Sequence, residues 1–159
     1  MPDFEEIYSM YSPQIFRVCM GYVNDHEQAK DLTQETFISV WKNLDTFRNE
    51  SKISTWIFRI ATNNCLRAVE INKRVIKVEL PVNIPAPQAE TQEDKLKFLY
   101  KAIACLDEIE RIIISLVLED LPQAEIADIV GLTPGNTRVK IHRIKEKLAT
   151  KFKDHGQFE

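Results

Sequence analysis

The sequence predicts an all-α protein of two small helical domains joined by a flexible linker, the C-terminal one a helix-turn-helix. Three observations carry this. Apolar residues recur at helical spacing up to about Lys73 and again from about Asp94. Between them the periodicity vanishes across Pro81, Pro85 and Pro87. Near the C-terminus, two amphipathic stretches flank Gly131-Leu132-Thr133-Pro134. With 44% hydrophobic residues and only four glycines in 159, the chain can build helical cores. Modules of about 60 residues bury only about 60% of their unfolded surface and gain from a partner.

The first segment places Phe4, Ile7, Tyr8, Tyr11, Ile15, Val18, Cys19 and Tyr22 at helical spacing, with Ser12-Pro13 interrupting. One kinked helix, or two in series, is expected. A second helix should start after Asp25 as cap, with Gln28 reaching back, and run to about Leu44. Ala29, Thr33, Thr36, Val40 and Leu44 share its inner face, which leaves Asp31, Gln34, Glu35, Ile38, Trp41 and Lys42 on or near the other. An outward face mixing a tryptophan, an isoleucine, an amide and carboxylates has the character of a protein-binding surface. After a polar stretch, a third helix is expected from about Ser54 to Lys73. Ile53, Ile57, Ile60, Ala61, Cys65 and Ala68 should point inward; Thr55, Arg59, Thr62, Asn63, Leu66 and Arg67 should point outward. Trp56 is expected in the core rather than as a base-stacking platform.

Residues 76–93 read as the linker, which sets domains at 1–75 and 94–159. The second domain opens with Leu96, Leu99, Ile103 and Leu106, then Ile109, Ile112, Ile113, Leu116 and Val117. In the helix-turn-helix, a short helix bearing Ile126, Ala127 and Val130 precedes Gly131, which suits a left-handed helix end. Leu132 can plug the interhelical angle, and Thr133 can cap a helix whose first turn holds Pro134. Thr137, Ile141, Ile144 and Leu148 fall on one face of that helix, with Asn136, Val139, His142 and Arg143 pointing away. Such outward residues are what a recognition helix offers to the major groove, with Arg138, Lys140 and Lys145 flanking toward phosphates.

A net charge of −3 argues weakly against a nucleic-acid binder, but the average conceals a segregation. From Asp107 to Asp128 the acids face one base, Arg111; from Arg138 to Lys153 the bases face one acid, Glu146. The C-terminal basic run is therefore a candidate DNA surface, with Lys147 near its flank. Cys19, Cys65 and Cys105 have no metal spacing and read as buried reduced thiols of a cytoplasmic protein. No apolar run is long enough to insert in a membrane. His142 has only Glu146 as a potential co-ligand, so no metal site or cofactor is expected. The absence of P-loop, GxSxG and HExxH motifs argues against an enzyme.

Residues 27–66 resemble region 2 of the extracytoplasmic-function (ECF) sigma factors of bacterial RNA polymerase. The landmarks are Asp31-Leu32-Thr33-Gln34-Glu35 with Phe37 and Trp41, then Phe47-Arg48, then Ser54-Thr55-Trp56, Arg59-Ile60-Ala61 and Asn63. The C-terminal part resembles region 4 through Ala127, Gly131-Leu132, Gly135, His142-Arg143 and Leu148. The resemblance implies a non-enzymatic sigma factor that binds polymerase core and directs initiation at promoters with −10 and −35 elements. It implies as partners the core, through its β′ coiled coil and β flap, promoter DNA and an anti-sigma factor. It assigns Asp31, Gln34, Glu35, Ile38 and Trp41 to core binding, and the Phe47–Lys52 loop with the third helix to the −10 element. Arg48, Lys52, Arg59, Asn63 and Arg67 would then meet −10 DNA. Asn136, Arg138, Val139, Lys140, His142 and Arg143 would meet the −35 duplex. The family often has an acid where Arg67 stands, a base at Thr62 and a proline near Asp107. Its usual threonine, valine and serine are replaced by Asn136, Thr137 and Val139, so no base preference carries over. The competing reading, a helix-turn-helix regulator with an N-terminal sensing or dimerisation domain, accounts for the C-terminus but leaves the ordered landmarks from Asp31 to Asn63 as coincidence.

Overall fold

The computed structural model describes residues 2–72 and 91–154, giving only the backbone for 69–72 and 154. Among these residues the chain forms seven α-helices and one short 3-10 turn: α1 Phe4–Val23, α2 His26–Asn43, the turn Leu44–Thr46, α3 Ile53–Asn72, α4 Gln92–Ala104, α5 Glu108–Leu118, α6 Gln123–Val130 and α7 Pro134–Asp154. Most of the expected linker, residues 76–90, and the final residues 155–159 lie outside the described residues.

Local chemistry sets the helix ends. Asp3 and Asp25 accept from the amides of Glu6 and Gln28, at 2.9 and 3.0 Å, and so cap α1 and α2. Pro13 does not break α1, which is continuous from Phe4 to Val23. Ser9, whose carbonyl loses its helical donor to Pro13, is exposed to water. Thr91 and Asp94 form a reciprocal capping box, so α4 starts slightly earlier than the apolar periodicity suggests. Gly131 has φ +75°, and the Thr133 hydroxyl accepts from the Asn136 amide at 3.2 Å. These two residues build the turn of the helix-turn-helix.

The two halves pack together. α1 crosses α4 and α5, and α3 crosses α5 and α6, so one apolar core runs through both. At the α1–α5 crossing, a Cβ on Gly21 would crowd the Ser115 hydroxyl, so glycine lets the two helices approach this closely. Beside it, the Arg111 guanidinium lies 4.9 Å from the centre of the Tyr22 ring. α5 is consequently buried on more than one side, Ile114 and Ser115 included.

Packing across the halves corrects several expectations. Thr55 and Thr62, expected outward, are 3% and 1% exposed, because α3 is covered by α1, α2, α5 and α6 rather than by one neighbour. Phe58 and Asn64 of the same helix are buried too. Leu44 is only half-buried, while Leu32 and Phe37 take core positions on α2. Cys19 and Cys65 are buried with their sulfurs 3.7 Å apart, but Cys105 is exposed, at the end of α4.

Candidate polymerase and promoter interfaces

Asp31, Gln34, Glu35, Ile38 and Trp41 are all exposed on α2. Trp41 and Ile38 keep 64% and 53% of their surface, far more than a stable core would leave apolar side chains. They line a groove of about 470 Å³ with Gln34, Phe4, Tyr8 and Phe37. Its floor is set by Phe37, whose ring meets Tyr8 edge-on at 5.0 Å. Phe4 and Tyr8, contributed by α1, carried no sequence signal beyond their helical spacing. Asp31 and Glu35 border a neighbouring depression of about 430 Å³ together with Arg67.

A larger cavity of about 710 Å³ lies between α2, the following loop and α3. Arg48, Arg59, Asn63 and Arg67 line it, as do Ser39, Asn43 and Ile60. Trp56 is half-buried, not a core residue: it lines this cavity, its ring 4.9 Å from that of Phe47 and tilted by 33°. Behind it, the buried Asn64 donates to Thr36 Oγ1 at 3.3 Å and accepts from Arg67 at 3.2 Å, fixing the position of Arg67. Lys52 sits outside this cavity and borders a smaller depression with Phe47 and Asn49. Its ammonium donates to Glu125 of α6 at 2.8 Å, which holds its pKa above the ordinary lysine value. Arg59 is ion-paired to Asp128 of α6 at 3.0 Å, and Asp128 itself lines the cavity.

On α7, Asn136, Arg138, Val139, His142 and Arg143 are exposed, and Lys140 is half-buried. Thr137, Ile141, Ile144 and Leu148 are buried beneath them, as their spacing predicts. His142 meets Glu146 at 3.1 Å one turn along. Among the described residues no ion pair engages Arg138 or Arg143. Lys147 is exposed further along the same helix, and its ammonium is bound to Glu110 of α5.

Comparison with known proteins agrees with this layout. Residues 7–75 match the sigma-70 region 2 family and residues 99–148 the sigma-70 region 4 family. The chain is 27% identical to the ECF RNA polymerase sigma factor SigW of Bacillus subtilis, over 95% of this chain and 89% of that one. It is 24% identical to SigM of the same organism, over 91% of each. SigE of Mycolicibacterium smegmatis is 27% identical, and this chain spans 64% of its length. The fold is similar to that of the sigma factor RpoE of Bartonella quintana, solved with the anti-sigma factor NepR, with a TM-score of 0.79 over 96% of this chain and 98% of that one at 22% identity. It is also similar to CnrH, solved with the cytosolic domain of CnrY, with a TM-score of 0.72 over 95% of this chain and 88% of that one at 19% identity. With both sigma-70 regions in order and ECF relatives matched along nearly its full length, the chain belongs to the ECF sigma factors, which bind RNA polymerase core and direct promoter-specific initiation of transcription.

Proposed function

We propose that the three surfaces divide the work of initiation. The α2 face of Asp31, Gln34, Glu35, Ile38 and Trp41 docks on the polymerase β′ coiled coil, with the apolar groove taking an apolar ridge and the acids meeting basic groups around it. The cavity bordered by Arg48, Arg59, Asn63 and Arg67 receives unpaired −10 bases, with Phe47 and Trp56 offering stacking faces. Lys52 adds a phosphate contact at its edge. The start of α7, with Asn136, Arg138, Val139, Lys140, His142 and Arg143, enters the −35 major groove.

The observation that carries this reading is the convergence of Arg48, Arg59, Arg67, the exposed Asn63 and an aromatic pair on one cavity of about 710 Å³. Arginine supplies charge for phosphates, the asparagine reads base edges, and aromatic rings stack on bases of any sequence. The division into domains at 1–75 and 94–159 with a linker over 76–93 belongs to the same reading. Two weak DNA sites joined by a tether reinforce each other through effective concentration. The chain works as a non-catalytic cytoplasmic factor without a cofactor of its own, and an anti-sigma factor binds it, in line with the anti-sigma factor NepR solved with the similar RpoE. Run-off transcription with purified core on a panel of genomic promoters tests the reading. Specific starts dependent on the chain are expected, and their absence on every promoter would refute it.

A further inference from the structure

Asn64 is 8% exposed on α3, a helix whose nearby positions Phe58, Ala61 and Cys65 are buried and apolar. An amide in such a place is costly unless both its ends are bonded. Its Nδ2 donates to Thr36 Oγ1 at 3.3 Å, and its Oδ1 accepts from Arg67 Nη2 at 3.2 Å. A guanidinium can only donate, so the amide oxygen must face Arg67 and the amino group must face Thr36. Thr36 is itself fully buried on α2, and its hydroxyl donates to the Leu32 carbonyl at 2.8 Å. The position of Arg67 is thereby referred to α2 as well as to its own helix.

Asn64 and Arg67 stand between two concavities. Both line the cavity of about 710 Å³, and both line the depression bordered by Asp31 and Glu35. Those two carboxylates offer an arginine an ion pair. Among the described residues Arg67 forms none, and the hydrogen bond it makes is to Asn64. A free arginine loses much rotamer freedom when it meets a ligand. Here one nitrogen is already held, so the plane of the remaining N–H donors is set before anything enters the cavity.

A planar fork held in one orientation suits a planar pair of acceptors. Guanine presents O6 and N7 side by side, whereas adenine sets an amino donor beside N7 and the pyrimidines have no such pair. A phosphate can be met from many directions and makes no demand for a buried aiming group. Phe47 and Trp56, on the same cavity, offer faces on which a base can stack. The family often has an acid where Arg67 stands, so no role carries over to this position. We propose that Asn64 is a positioning residue that aims Arg67 at a guanine of the unpaired −10 strand, which makes Arg67 a specificity determinant of that element. The proposal rests on the promoter reading of the cavity.

The test uses holoenzyme reconstituted from core with wild type, Arg67→Ala, Asn64→Leu, Asn64→Asp or Thr36→Val. Run-off transcription is measured on templates carrying each single-base substitution through the −10 nontemplate strand, with circular dichroism of each protein as a folding control. Wild type should prefer guanine at one position by about tenfold. Replacing that guanine with 7-deazaguanine, which lacks the N7 acceptor, should remove most of the preference. Arg67→Ala should lose the preference and become indifferent to 7-deazaguanine. Asn64→Leu keeps the volume without the bonds, and its preference should fall to about threefold or less. Asn64→Asp still accepts from Arg67 and should restore most of it. If Asn64→Leu loses helicity, Thr36→Val, which removes only the anchor of the amide, decides in its place with the same expected fall. Full guanine preference in a folded Asn64→Leu would make Asn64 a packing residue and overturn the proposal. So would a preference that survives Arg67→Ala, or an Arg67→Ala loss equal on every template with a change only in salt slope. Specific starts without any guanine-preferring −10 position overturn the proposal and leave the promoter reading standing, whereas a wild type with no specific start on any template overturns both.

Discussion

Lys147 donates to both carboxylate oxygens of Glu110, at 3.0 and 2.8 Å, and so ties the recognition helix α7 to α5. Glu110 is 7% exposed and also accepts from the Asp107 amide at 3.2 Å, so one carboxylate both caps α5 and anchors α7. The basic run is therefore not uniform: Arg138 and Arg143 have no ion pair among the described residues, while Lys147, exposed like them, also ties α7 to the scaffold.

Lys147→Ala should therefore lower stability by about 1 to 2 kcal/mol at neutral pH, because it leaves a nearly buried carboxylate short of its charged partner. The sign with pH follows from the carboxyl. Burial pushes the Glu110 pKa up, but bonds from Lys147 and Asp107 outweigh it and hold the value below the ordinary glutamate. Its contribution is present above the unfolded pKa, about 4.3, and is lost as pH falls through the lower folded value. Urea melts of both proteins should differ at pH 7 and converge toward pH 3. Equal stability at pH 7 would show that the pair contributes nothing.

Gln34→Ala with Glu35→Ala should weaken core binding about tenfold without harming the fold. Both side chains are exposed, and two interface hydrogen bonds at roughly 0.5 to 1 kcal/mol each sum to about tenfold in affinity. Trp41→Ala should cost more, about 2 kcal/mol, since an exposed tryptophan bordering a groove fits the profile of an interface hot spot. Pull-down of core with circular dichroism as a folding control measures both, and wild-type recovery by all variants would remove this face from the docking surface.

Much of this was legible in the sequence, because the relevant physics is local. Asp25, Thr133 and Gly131 mark helix ends by chemistry confined to one turn, and the inner face of α7 from Thr137 to Leu148 follows from 3.6-residue periodicity. The outward faces of α2 and α7 followed for the same reason. What escaped was the contact between halves. A helical wheel assumes one covered face, so it turned Thr55 and Thr62 to solvent, whereas α3 and α5 are each covered by helices from both halves. The pairs Lys52–Glu125 and Arg59–Asp128 join residues far apart in sequence, and no spacing rule reports them.

Arg143→Ala should lower transcription most at promoters carrying one particular −35 base, whereas Arg138→Ala should weaken all promoters alike. A base-edge arginine discriminates by about 1 to 3 kcal/mol, while a phosphate contact chiefly changes the salt slope by about one unit. Both side chains are exposed, so neither change should unfold α7. Promoters mutated singly through the −35 element, assayed at two salt concentrations, separate the two roles. A uniform loss for Arg143→Ala, with a change only in salt slope, would make it a phosphate anchor.

Gly21→Val should open the seam between the halves. A Cβ at this position would lie 2.2 Å from the Ser115 hydroxyl and 3.2 Å from its Cβ. The hydroxyl could swing away only by giving up its 2.7 Å bond to the Arg111 carbonyl, and the Cβ contact would remain tight. Gly21→Ala gains up to about 1 kcal/mol of helix propensity, which offsets part of that crowding, so its net effect should be small. Valine adds two branches at the crossing and has no such compensation, because its own propensity is poorer. Hydrogen exchange should report the difference, with amides of α1 and α5 near the crossing losing protection in Gly21→Val while those of α2 remain close to wild type. Unchanged exchange in α5 would mean that the halves do not rely on this crossing to stay together, and a loss spread evenly over α2 as well would mean that the substitution unfolds the N-terminal helices instead of parting them from α5.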